Sequence, residues 1–93
     1  MPAKIEVEKL DASHFRVRVI DAGSESTHQV TLDPKDRAKL AGATAEPEEL
    51  IRKSFEFLLE REPKESILGG FDLSVIGRYF PEYEREIKRR ISQ

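Results

Sequence analysis

Cysteine and tryptophan are absent from the 93 residues, and methionine occurs once. A chain without thiols forms no disulfide, no thiolate metal site and no cysteine nucleophile. The lack fits a reducing compartment, and a cytoplasmic location is the expectation. No run approaches the roughly 18–20 apolar residues that a bilayer span requires. The opening segment, residues 1–8, carries Lys4, Glu6 and Glu8 where a secretory signal has its apolar stretch. A membrane is therefore not expected as a partner. An excess of one charge sign is missing too: 16 Lys and Arg stand against 18 Asp and Glu. Residues 1–46 and 47–93 each come to −1, so no basic half is offered to phosphates or to an anionic surface.

What is present is charge, at 37% of the chain, and a change of hydrophobic period near Pro34. Before it, apolar residues alternate with polar ones: Ile5 and Val7, then Phe15, Val17 and Val19, then Val30 and Leu32. After it they cluster at helical spacing: Leu50, Ile51, Phe55, Phe57, Leu58 and Leu59, later Tyr83, Ile87 and Ile91. A period of two belongs to strands and one near 3.6 to helices. The pattern predicts a single small α+β domain over 1–93. It comprises a three-stranded antiparallel β-meander followed by a main helix and short C-terminal helices in two-layer packing.

The strands are predicted at Lys4 to Lys9, His14 to Asp21 and Thr27 to Asp33, with Ala22 to Ser26 as a loose turn. One register sets Val7 opposite Val17 and Val17 opposite Val30, with Ile5, Phe15, Val19 and Leu32 on the same face. Glu6, Glu8, Arg16, Arg18, Gln29 and Thr31 then share the other, where acidic residues lie beside basic ones. Asp33-Pro34 reads as a helix start with an aspartate cap and Gly42 as its stop. Ala43 to Glu46 is a linker, and the main helix runs from Pro47 to about Arg61. Its apolar residues spread over roughly 200° of a helical wheel, so it needs cover on two sides. The short helices after Pro63 are placed to supply the second cover: one turn at Ser66 to Leu68, Leu73 to Phe80 capped by Asp72, and a last helix after Pro81.

No motif points to catalysis, metal or cofactor. His14 follows the parity of Arg16 and His28 that of Val30, which puts the histidines on opposite sheet faces near strand ends, as ordinary surface residues. Ser24 and Ser26 lack a histidine–acid pair that spacing could defend. Gly69-Gly70 matches no phosphate loop. The expectation is not an enzyme, with no cofactor and no bound metal.

Lys64 to Phe80 can also be read as helix–turn–helix around Gly69-Gly70. Its second helix, however, offers chiefly Arg78 and Ser74 for phosphates and base edges. The segment from Pro47 to Pro63, together with Ser66-Ile67-Leu68 and Phe71-Asp-Leu-Ser-Val-Ile through Tyr83, resembles a group of short prokaryotic proteins of unknown role. The likeness covers about residues 47–84 and implies no functional residues.

The favoured expectation is a non-catalytic protein-interaction module. It would self-associate or be the small partner of a two-protein unit such as a toxin–antitoxin pair, through an apolar patch of Ile51, Phe55, Phe57 and Leu59. The two edges of the sheet are further places for pairing. The alternative is a nucleic-acid-associated protein using Arg16 and Arg18, Arg78, or the basic end Arg85, Arg89 and Arg90. The glutamates that precede that end also make it a helix matched to its dipole.

Overall fold

A computed structural model describes residues 3–41 and 46–91. The chain is mixed α+β. Strands β1 (Lys4–Lys9), β2 (His14–Asp21) and β3 (Ser24–Thr31) form the antiparallel meander. The β2–β3 connection is tighter than expected. Only Ala22 and Gly23 lie between the strands, at φ 54° and 81°, the paired positive dihedrals of a mirror-image turn whose twist matches a hairpin. Glycine adopts this geometry freely, whereas at Ala22 it costs roughly 1–2 kcal/mol.

The short turn moves the start of β3 to Ser24 and shifts its register by two residues. Val7 faces Val17, as expected. Val30 faces Phe15, however, and Val17 faces His28 rather than Val30. A shift of two preserves parity. Phe15, Val17, Val19, Val30 and Leu32 accordingly all point into the core and are buried.

The sheet has a fourth strand, which corrects the three-stranded, all-antiparallel expectation. β4 (Gly70–Asp72) runs parallel to β3, with Val30 facing Phe71. The Gln29 N–H donates to the Gly69 carbonyl at 2.8 Å just ahead of it. Three residues show no periodicity, and two glycines read as a break. What makes them a strand is the outer edge of β3, whose alternate N–H and C=O groups need partners.

Helix α1 (Pro34–Ala41) begins as the sequence predicts, with the Asp33 carboxylate accepting from the Lys35 N–H at 2.8 Å. The proposed stop at Gly42 and most of the linker lie outside the described residues. Helix α2 (Pro47–Leu59) starts on Pro47 with Glu48 and Glu49 in its first turn, where the helix dipole favours carboxylates. A 3-10 turn at Lys64–Ser66 leads to β4. Asp72 then caps a second such turn, Leu73–Val75, by accepting from the Ser74 N–H at 2.9 Å. That turn continues into α3 (Ile76–Tyr79), and α4 (Tyr83–Ile91) closes the described chain.

The two-sided cover of α2 is realised within the chain. Towards the sheet, the Phe55 ring meets His28 at 5.4 Å and Phe71 at 6.0 Å between centroids. Towards the later helices, Phe57 meets Phe80 edge-on at 5.8 Å and Tyr83 at 5.4 Å. Between these lies a buried polar pair. The Ser54 hydroxyl donates to the Leu50 carbonyl at 2.7 Å and accepts from the Tyr83 hydroxyl at 2.7 Å. Burial drives the Tyr83 phenol well above its ordinary ionisation range, against the opposing pull of that hydrogen bond.

Phe55→Ala or Leu58→Ala should cost about 2–5 kcal/mol in denaturant unfolding, the range for a core truncation. Ser54→Ala strands the Tyr83 hydroxyl in the core and should cost about 1–3 kcal/mol. The double variant Ser54→Ala/Tyr83→Phe removes both partners and should be more stable than Ser54→Ala alone. The opposite order would mean that the hydroxyl pair is not buried as described.

Candidate functional site

The expected partner patch is core. Ile51, Phe55 and Phe57 are fully buried, and Leu59 is half-buried against the core cluster. Their arc on α2 is too wide for the sheet alone, and α4 with the segment after Pro63 takes the remainder. None of the three buried side chains is free to meet another chain.

The arginines of the alternative reading are divided between opposite sides and are mostly neutralised. On the outer sheet face, Arg16 pairs with Glu8 at 2.8 Å, and Arg18 lies between Glu6 at 2.5 Å and Glu25 at 3.4 Å. The Glu6 carboxyl is held below the usual carboxylate range, first by its hydrogen bond from Lys4 and then by the Arg18 charge. On α4, Arg89 pairs with Glu86, while Arg90 pairs with Glu60 at 2.7 Å and with Glu86 at 3.3 Å. Arg90 and Arg61 both approach the Phe57 ring, at 5.7 and 3.6 Å from its centroid, so they complete the cover of α2 with their planar cations. Arg78 and Arg85 make no ion pair among the described residues. The helix–turn–helix geometry is also absent from residues 64–80, because strand β4 occupies the place of the turn.

The histidines separate as parity predicts, but His28 is no surface residue. His14 is exposed and its ring Nδ1 lies 2.8 Å from Asp11. The Asp11 carboxylate also accepts from the Ser13 and His14 N–H groups. These contacts hold its carboxyl below the ordinary range, the Ser13 hydrogen bond foremost. His28 is 2% exposed and sits mid-strand. Its Nδ1 lies 2.7 Å from the Leu68 carbonyl and its Nε2 2.8 Å from the Ser26 hydroxyl. A carbonyl only accepts, so Nδ1 carries a proton, and in the neutral ring Nε2 is then the acceptor for the Ser26 hydroxyl. A serine donating to an oriented imidazole is also the start of a nucleophile–base pair. Here the ring is packed on Phe55, and neither residue lines the groove between α2 and residues 66–80. The arrangement works as a latch that ties the 67–69 segment to β3.

That latch shapes a groove. Between the C-terminal end of α2 and residues 66–80 lies an open apolar cavity of about 400 Å3. Leu58, Ile67, Phe71, Ile76 and Phe80 form its walls, with Glu62 and Ser66 supplying polar groups. Leu68 and Tyr79 also line it, and they are 49% and 68% exposed. Tyr79 belongs to the stretch Leu73 to Phe80, for which the sequence predicts one continuous helix. α3 instead ends at Tyr79, with Phe80 already extended at φ −129°, so no further helical turn supports the ring. Leu68 precedes the Gly69–β4 junction, and its carbonyl, not its side chain, is what the core holds.

No protein-family model matches the chain, and no curated protein or solved structure matches it either.

His28→Ala removes both the donor to Leu68 and the acceptor for Ser26. It should cost about 1–3 kcal/mol and raise amide exchange at Gly69 to Asp72 more than in β1. Equal exchange in the two segments would sever the proposed link between the latch and the groove.

Proposed function

We propose that this protein is a non-catalytic protein-interaction module whose groove between α2 and residues 66–80 receives an apolar anchor from a partner chain. One observation carries the reading. Three large apolar side chains are exposed among the described residues, Leu10, Leu68 and Tyr79; two of them stand on the rim of one apolar groove. The cavity is within the size range of recognition pockets, roughly 300–1,000 Å3. A rigid tyrosine beside an aliphatic pocket is the composition found at binding hot spots. The groove is walled by core residues, so a partner would meet a preformed surface. The small member of a two-protein unit, such as a toxin–antitoxin pair, is the form this function takes most simply. Nucleic acid has less support, since Arg16, Arg18, Arg89 and Arg90 already face carboxylates.

The test is quantitative capture with the intact chain and with Leu68→Ser/Tyr79→Ser, both checked for folding by circular dichroism. A partner held by the native groove should bind the double variant more weakly by roughly 30-fold or more, the equivalent of about 2 kcal/mol from a lost hot spot. Retention of the same partner at unchanged affinity would rule the groove out.

A further inference from the structure

The sheet order β1-β2-β3-β4 makes β1 an edge strand of six residues, on the opposite edge from β4, whose Phe71 lines the groove. The direction of its free backbone groups is fixed by the pairing with β2. Leu10 N–H donates to the His14 carbonyl at 2.8 Å, and in an antiparallel pair hydrogen-bonded positions alternate. With Glu8 opposite Arg16 and Glu6 opposite Arg18, the even-numbered residues bond to β2. The N–H and C=O groups of Ile5, Val7 and Lys9 therefore point away from the sheet. The same alternation accounts for Leu32 N–H donating to the Ser13 carbonyl across β2–β3.

The side chains of β1 are less completely covered than those of its neighbours. Val17, Val19 and Val30 are at most 1% exposed, while Ala3, Ile5, Val7 and the adjacent Leu59 are only partly buried. The inner face of the sheet thus has an unfinished apolar margin along one edge. On the outer face the same strand carries Lys4, Glu6 and Glu8.

We infer that β1 pairs with β1 of a second copy, antiparallel about a two-fold axis at Glu6, to form one continuous eight-stranded sheet. This register sets Ile5 opposite Val7 of the other copy, twice by symmetry. All outward N–H and C=O groups of those residues are then used, and the margin is filled with β-branched side chains. It also sets Lys4 opposite Glu8 twice, an attractive pair in each case. Glu6 meets its own equivalent, but each carries Lys4 at 3.2 Å and Arg18 at 2.5 Å as counter-charges. Moving the axis to Val7 would put Glu6 opposite Glu8 twice, and moving it to Ile5 would shorten the ladder. Charged side chains commonly keep edge strands apart; here positions 4 and 8 carry opposite signs and meet each other twice across the axis. The pairing goes beyond the groove reading and uses a different surface.

Sedimentation at micromolar concentration should give twice the 10.7 kDa of one chain. Lys4→Glu should weaken the dimer about tenfold by turning two attractive pairs into repulsive ones, and Lys4→Glu/Glu8→Lys should restore it. Because the chain has no cysteine, Glu6→Cys supplies a single thiol. At a non-hydrogen-bonded antiparallel position, about 4.5 Å between Cα atoms, it should oxidise to a covalent dimer. Leu68→Ser/Tyr79→Ser should leave the dimer intact, which separates this result from any failure of the groove. A single-chain mass for the folded protein, or a dimer indifferent to Lys4→Glu, would overturn the inference. Weakening without rescue by Glu8→Lys would overturn the register.

Discussion

The structure depends on the width of α2. Leu50, Ile51, Ser54, Phe55, Phe57 and Leu58 are all buried, and no single sheet face covers so broad an arc on one helix. The sheet takes the Phe55 side and the later segments take the Phe57 side, so the C-terminal third of the chain is part of the core. This explains the otherwise odd use of aromatic and charged residues together around Phe57. Phe80 and Tyr83 meet its ring by their edges, and Arg61 lies on it at 3.6 Å. Arg61 also donates to the Phe57 carbonyl at 3.2 Å and pairs with Glu82 at 3.3 Å. A guanidinium plane with its charge matched can close the side of a core that an aliphatic residue would leave wet.

The same geometry explains which parts of the fold were legible in the sequence. Phe15, Val17, Phe55 and Leu58 announce their burial through period alone, because each lies on a run long enough to repeat. The need for two covers on α2 was legible for the same reason, since a helical wheel counts width directly. The register of β3 was not, because it is set by a turn in which alanine, rather than asparagine or aspartate, precedes glycine in the left-handed region. Ala22 carries no side-chain signal for that conformation. β4 was invisible because strand identity there comes from the edge of β3 and from no property of Gly70, Phe71 and Asp72.

The site is less legible in the sequence than the fold, and for a physical reason. An apolar residue at a helical spacing shows that it faces something, but not whether that something is the same chain. Phe57 and Leu59 have the pattern of an interface and find their partners internally. Tyr79 has the pattern of a core residue and is exposed, because α3 lasts only from Ile76 to Tyr79. His28 misled in the other direction. Its parity was right, but a lone histidine gives no sign that a backbone carbonyl 40 residues away will meet it at 2.7 Å.

That long-range bond links architecture to the apolar groove. His28 fixes the Leu68 carbonyl, and Gln29 fixes the Gly69 carbonyl one residue on. Together they hold the start of β4 against β3, which in turn places Phe71 at once beside Phe55 and in the groove wall. The Leu68 side chain is exposed because its own backbone is committed inward. A strand so short would not persist on its ladder bonds alone, since three residues give few of them. The imidazole therefore contributes to stability and to the shape of the groove through one contact. A partner that fills the groove would gain from that order without supplying it, since rigidity already present need not be created on binding.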